Sequence, residues 1–289
     1  MSFSIGIVGL PNVGKSTLFK ALTKKQVDIA DYPFTTINPN VGVVAVPDER
    51  LEKIAQVIKP EKVTPTIIEF VDIAGLVKNA HKGEGLGNQF LAQIRNCDAI
   101  LEVIKCFSAN PTPDDDVEII KTELAMKDLE VEEKENLLSK KPIVYVYNIN
   151  EVGHEVGHAM SNGHRMSLNL KIEEEMSELS EAEKRELGVK SQLDQLILAC
   201  YNILELITFY TITGGQETRA WTLQRGQTCP QAGGKVHSDF QEKFIRAEVI
   251  NWQKLVEAGS WAKAREKGWL ETVGRDYIVQ DGDVIEFKI

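Results

Sequence analysis

The chain has 289 residues, 43% of them hydrophobic and 26% charged, with a formal net charge of −10. That length and balance suit two folded domains with sizeable cores and exclude wholesale disorder. No apolar run approaches the roughly 20 residues of a membrane-spanning helix, and the acidic balance opposes unspecific coating of DNA.

In chain order, residues 3–8 (FSIGIV) form a short β-branched run, followed by a glycine-bearing turn and then KSTLFKALTKK at helical spacing. Further strands are predicted at 41–46, 66–71, 99–104 and 143–147, the last two nearly continuous apolar runs of the kind covered on both faces. Helical patterns at 49–58 and 87–96 alternate with them, which predicts an α/β fold with a mainly parallel sheet and right-handed crossovers. Residues 114–140 read as one charged amphipathic helix, and 172–207 as helical with a break at Gly188. From Thr208 onward short strands and turns predict a small α+β domain.

The segment Gly9–Thr17, GLPNVGKST, is a complete G-x-x-x-x-G-K-[ST] loop between a predicted strand and a predicted helix, which is the context that pattern requires. Gly9 and Gly14 let backbone N–H groups turn inward around phosphate oxygens, and the helix N-terminus adds positive potential. Lys15 is placed to reach the β- and γ-phosphates and the Ser16 hydroxyl to ligate Mg²⁺. Downstream, Asp72 ends a strand and can hold the metal through water, while the Gly75 amide can face a γ-phosphate. In the polar loop between them, Thr35 or Thr36 is a candidate to close over the metal. Asn148–Glu151 follows an apolar strand where such folds read the base. Guanine discrimination usually comes from N-K-x-D, but here Asn-Ile-Asn-Glu has a longer acid and no lysine, which predicts tolerance of adenine.

With GLPNVGKST, ADYPFTTINPNVGVV, FVDIAGLVKNAHKGEGLGNQFL and NINE in that order, the chain resembles the Obg-like ATPases, most closely the YchF subfamily. The likeness covers about residues 1–110, 142–151 and 171–289. It implies an OBG-type G domain over 1–203 and, over 204–289, a TGS domain, a ubiquitin-like β-grasp module. It also implies ATP hydrolysis in preference to GTP, Mg²⁺, a cytoplasmic location and a ribosomal partner reached through the TGS domain. By the same resemblance Asn12, Val13, Gly14, Lys15, Ser16 and Thr17 hold phosphates. Ser16, Thr36 and Asp72 serve the metal, Gly75 the γ-phosphate, and Asn148 and Glu151 the base. Leu76 stands where many GTPases have a water-orienting glutamine, so a substitute group, a partner or K⁺ has to assist hydrolysis, with His81 a candidate. The long helical hairpin of such proteins is shortened here to a remnant at 114–141, and their S-A-K-type element reads Asn169-Leu170-Lys171.

Two features stand outside that reading. Residues 154–164 (HEVGHAMSNGH) carry His154, His158 and His164 with Glu155, the spacing of a zinc hydrolase helix. A surface connection or an incidental metal site explains the same letters, and three glycines weaken any helix there. In the C-terminal domain Arg219, Trp221, Arg225, Lys235, Lys243 and Arg246 interleave cations with aromatics, suited either to RNA or to a small core with a solvated face. The four cysteines are scattered without a CxxC pair and read as reduced thiols of a cytosol.

Overall fold

The β-branched run at the N-terminus forms strand β1 (Phe3–Val8), whose last four residues are buried. The computed structural model describes residues 3–27, 32, 38–73, 86–129, 137–150, 164–188 and 190–289, with backbone alone at 86–89, 181, 185 and 187. Next come α1 (Lys15–Thr23), β2 (Val41–Ala45), α2 (Glu49–Ile58), β3 (Lys62–Thr64), β4 (Ile67–Asp72), α3 (Leu86–Asn96) and β5 (Ala99–Lys105). The middle of the chain adds α4 (Pro113–Asp128), a 3₁₀ turn (Leu138–Lys140), β6 (Ile143–Asn148), β7 (His164–Leu168), α5 (Leu170–Ser177), α6 (Glu181–Leu187) and α7 (Leu193–Ile203). The remainder holds β8 (Leu206–Thr213), β9 (Glu217–Gln224), α8 (Cys229–Val236), α9 (Ser238–Glu242) and β10 (Arg246–Asn251). It ends with α10 (Trp252–Ala258), α11 (Trp261–Glu266), β11 (Glu271–Val273) and β12 (Asp283–Lys288). Among the described residues no helix is long and apolar enough to cross a membrane.

These elements divide into two units, Met1–Ala45 with Ile68–Leu204, and Val46–Ile67 with Glu205–Ile289. In the first, six strands lie in the order β2-β4-β1-β5-β6-β7. Strand β1 runs parallel to β4 and β5, and the parallel ladder continues through β6 to β7. The predicted α/β architecture is therefore present, and β1 lies between the strands that bring in residues 72 and 102. Val8, Ile94, Ile100, Ile120 and Leu124 share one buried cluster that packs helices against the sheet.

The second unit has a mixed sheet in the order β11-β10-β12-β8-β9-β3, with β12 parallel to β8 and β8 antiparallel to β9. Residues 46–67, which the sequence runs through the 1–203 segment, belong here. Leu51 and Ile54 of α2 are buried with Tyr210, Ala220, Ile250 and Leu255. Asp48 caps α2 through the Arg50 amide (3.0 Å), and its carboxylate also accepts from the Arg50 Nε (2.8 Å) and the Tyr210 hydroxyl (2.5 Å). Arg50 then reaches Asp281 at 2.7 Å, so the cap is also the pin that ties α2 to the sheet.

Three predicted spans change. The single helix at 114–140 is instead α4, ending at Asp128, with 130–136 outside the described residues and the 3₁₀ turn after them. The Asp128 carboxylate accepts from the amides of Leu138 and Ser139, both at 2.9 Å, so the chain has returned on itself. Ten residues of continuous helix would hold those groups about 15 Å apart. The predicted helix at 172–207 is three helices followed by a strand. The Ser180 hydroxyl and amide engage Glu183 at 2.6 and 2.7 Å, a capping box that starts α6 independently of the break at Gly188 (φ +65°). Strands β3 and β7 carry no alternating pattern and come as additions.

One residue of the central strand conflicts with its surroundings. Glu102 is fully buried in β5, in register with Val8 on one side and Tyr145 on the other, and among the described residues neither carboxylate oxygen has a hydrogen-bond partner. Burial pushes its carboxyl up to about 8, against the pull of Lys121. The unfolded chain releases this proton near 4.5 and the folded chain only near 8. Stability is therefore full below the lower value, falls as pH rises between the two, and levels off above. Glu102→Gln removes that slope, so the variant should gain on the order of 1 kcal/mol over wild type per pH unit in that window. Urea midpoints of both chains at pH 5 and pH 8 measure it; parallel pH dependences would refute the assignment.

Candidate nucleotide-binding site

Between β1 and α1 the backbone turns through two left-handed glycines, Gly9 (φ +155°) and Gly14 (φ +107°), with Asn12 at φ +61°, a conformation asparagine tolerates. A β-carbon on Gly9 would lie 2.5 Å from the Val103 carbonyl oxygen of β5, and one on Gly14 would lie 2.6 Å from Asn148 Nδ2. The glycines are thus required by contact as well as by conformation. Gly14 is the N-cap of α1 and supplies no side-chain cap, which leaves the first-turn amides open to an anion.

Lys15 is buried and folds back along the inside of the loop, where Nζ donates to the carbonyls of Gly9 (3.1 Å) and Leu10 (3.0 Å). Burial lowers its pKa, opposed by the charge of Asp72; burial raises Asp72, opposed by Lys15. Each charge is therefore partly stripped of water and supported by the other. Asp72 is the last residue of β4, held by register with Ile7 and by its amide on the Asn40 carbonyl at 2.9 Å. Ser16 is exposed at the start of the helix, Thr17 is half-buried, and Val13 is buried beneath the loop.

Asn148, the last residue of β6, is buried and bridges two distant segments. Its Nδ2 donates to the Val13 carbonyl at 2.9 Å, and its Oδ1 accepts from the Leu170 amide at 3.2 Å. The predicted base-reading residue is therefore also a clip that ties the phosphate loop to the start of α5. Sequence reasoning missed that role, which spans 135 residues and has no local pattern. Nearby, Asn169 caps α5 through Ile172 N (3.1 Å) and donates to the Asn150 carbonyl (2.6 Å), so the strand-end turn and the helix start brace each other.

The structure brings Asn12, Val13, Gly14, Lys15, Ser16, Thr17, Asp72 and Asn148 to the C-terminal ends of neighbouring parallel strands, where open α/β sheets bind ligands. Thr35, Thr36, Gly75, Leu76, His81, Glu151, His154 and His158 lie outside the described residues. His164 opens β7 and is exposed, and among the described residues no group of three or more His, Cys, Asp or Glu could hold a metal ion. In the second unit Trp221 is half-buried against Phe209, with its indole N–H on Thr211 Oγ1 (2.9 Å) and Arg219 over its ring at 4.3 Å. Lys243 pairs with Asp239, while Arg225, Lys235 and Arg246 are exposed.

The arrangement fits a magnesium-bound triphosphate on observations of its own. A buried ammonium donates, among the described residues, to carbonyl oxygens of its own loop, an uncapped helix start faces the same space, and a carboxylate and a hydroxyl stand at the ends of β4 and of the loop.

Known proteins resemble this chain over its whole length. A family model described as 50S ribosome-binding GTPase matches residues 4–149, and YchF-GTPase_C, described as a protein of unknown function, matches 206–289. The ribosome-binding ATPase YchF of Bacillus subtilis (strain 168) is 40% identical over 364 aligned residues, covering 100% of this chain and 99% of that protein. The ribosome-binding ATPase YchF of Escherichia coli O157:H7 is 39% identical, with 99% of each chain covered. The solved structure of the Schizosaccharomyces pombe YchF GTPase superposes with a TM-score of 0.86 and 29% identity, covering 99% of this chain and 98% of that one. An alignment of 364 positions leaves at least 75 of them, 364 less 289, without a residue of this chain.

A methyl group at Gly14 would press on the Asn148 amide and force a left-handed alanine. Gly14→Ala is expected to weaken nucleoside triphosphate binding tenfold or more, about 1.4 kcal/mol, in a chain that keeps its circular dichroism. Unchanged affinity by calorimetric titration would remove the glycine from the cradle.

Proposed function

Because this chain belongs to the YchF family of ribosome-binding ATPases, we propose that it is a Mg²⁺-dependent nucleoside triphosphatase that prefers ATP to GTP and acts as a nucleotide-controlled switch on the ribosome. The observation that supports this best is the inward-turned Lys15, whose two bonds to carbonyl oxygens are what a phosphate would replace. In this reading the amides of Gly9–Thr17 wrap the phosphates and Lys15 exchanges carbonyl for phosphate oxygen. Ser16, Thr36 and Asp72 serve the metal, whose chemistry is to neutralise the β- and γ-oxygens. Gly75 faces the γ-phosphate, and Asn148 and Glu151 hold the base. Residues 1–203, apart from 46–67 that fold with the second unit, form the nucleotide domain and 204–289 a TGS domain that meets ribosomal RNA, in the cytoplasm.

Base preference rests on Asn148-Ile149-Asn150-Glu151, where no lysine lies along a purine ring. The bacterial relatives are named ATPases and the fission yeast structure a GTPase, so the two nucleotides are the comparison that matters. With Leu76 at the water-orienting position, turnover is slow until the ribosome or K⁺ assists. The same leucine motivates a second reading, a nucleotide-binding adaptor with negligible hydrolysis.

Titration with Mg-ATP and Mg-GTP side by side should favour ATP, and Lys15→Ala should lose both; normal ATP binding by that variant contradicts the cradle. Single-turnover hydrolysis should accelerate when ribosomes or K⁺ are added. Tight ATP binding with no chemistry under any of these conditions would select the adaptor.

A further inference from the structure

At the opposite, N-terminal ends of β6 and β7, a cavity of about 880 Å³ opens between these strands, the outer half of α4 and the end of α7. It shares no lining residue with the phosphate loop, and its volume lies in the range of small-molecule sites. Although α4 carries Asp114, Asp115, Asp116, Glu118, Glu123 and Asp128, the residues it turns to the cavity are Lys121, Leu124 and Ala125, spaced i, i+3, i+4 on one face. Among the described residues the lining contains Lys121, Lys141 and His164 and no carboxylate.

Tyr145 presents a polar group to this cavity, and Glu102 lies buried behind it. Tyr145, only 6% exposed, lines the cavity, and its hydroxyl makes no hydrogen bond among the described residues; the Lys121 ammonium stands 6.0 Å from its ring centroid. Glu102 is paired with Tyr145 in the parallel ladder and so shares its face of the sheet, with both oxygens unpartnered among the described residues. Tyr145 is pushed up to about 12, so at neutral pH its hydroxyl is an uncharged donor at the cavity wall. An anion in the cavity would accept from the Tyr145 hydroxyl beside the lysine ammonium groups.

We propose that this cavity is a second ligand site that takes a small organic anion with an apolar body. The anionic head meets Tyr145 and Lys121, and the body lies against Leu124, Pro142, Ile143 and Ile203. This site is independent of the nucleotide assignment.

Fluorescence titration with 1-anilinonaphthalene-8-sulfonate tests it, run with saturating magnesium and a non-hydrolysable ATP analogue, and compared with the uncharged N-phenyl-1-naphthylamine. The expected result is saturable binding at one site, tenfold or more tighter for the sulfonate, and about tenfold weaker in Tyr145→Phe. Ala125 is an exposed rim residue, and Ala125→Trp should close the cavity and abolish binding without lowering the melting temperature. Displacement by the nucleotide analogue, equal binding of the uncharged compound, or unaltered binding in both variants would each overturn the proposal.

Discussion

The first unit is organised by a close approach of backbone to backbone. Gly9 sits so near the Val103 carbonyl that no side chain fits, and Gly14 is about as close to the side-chain amide of Asn148. That proximity lets Asn148 bond the Val13 carbonyl, and through Leu170 the same side chain positions α5. Strand order then decides what else is near. Because β1 lies between β4 and β5, Lys15 and Asp72 emerge on one edge of the sheet and face the same space.

An acidic chain that binds polyanions needs its positive potential to be local. Here it comes from oriented amides and one ammonium partly stripped of water, which act at contact distance where the net charge has little say. Elsewhere in the unit the sheet tolerates an acid by keeping it protonated, as at Glu102. Both arrangements use burial to set which groups are charged.

Much of the fold was legible because its signals are local. The strand, glycine turn and helix at 3–23 are dictated by backbone geometry, and α2 falls where its caps and apolar spacing put it. Illegible parts depend on partners remote in sequence. Strand β3 is the three-residue KVT, made a strand only by pairing with β9, and β7 (HRMSL) is an edge strand with little alternation. The helix expected through 140 stops because Asp128 meets Leu138 and Ser139, a return no residue pattern announces. At the site, residue types and spacing point to phosphate chemistry, whereas the double duty of Asn148 appears only when three separated segments meet.

The excursion at 46–67 leaves β2 and rejoins the first sheet at β4, its two ends joined by the Val46 amide on the Thr66 carbonyl at 2.9 Å. Its helix buries Leu51 and Ile54 in a cluster with Tyr210, Ala220, Ile250 and Leu255, all beyond Glu205. A ribosome making this chain therefore releases an amphipathic helix whose apolar face finds its shelter about 150 residues later, roughly ten seconds or more at ordinary elongation rates. Until then that helix is exposed to chaperones, and one unit cannot mature before nearly the whole polypeptide has been made.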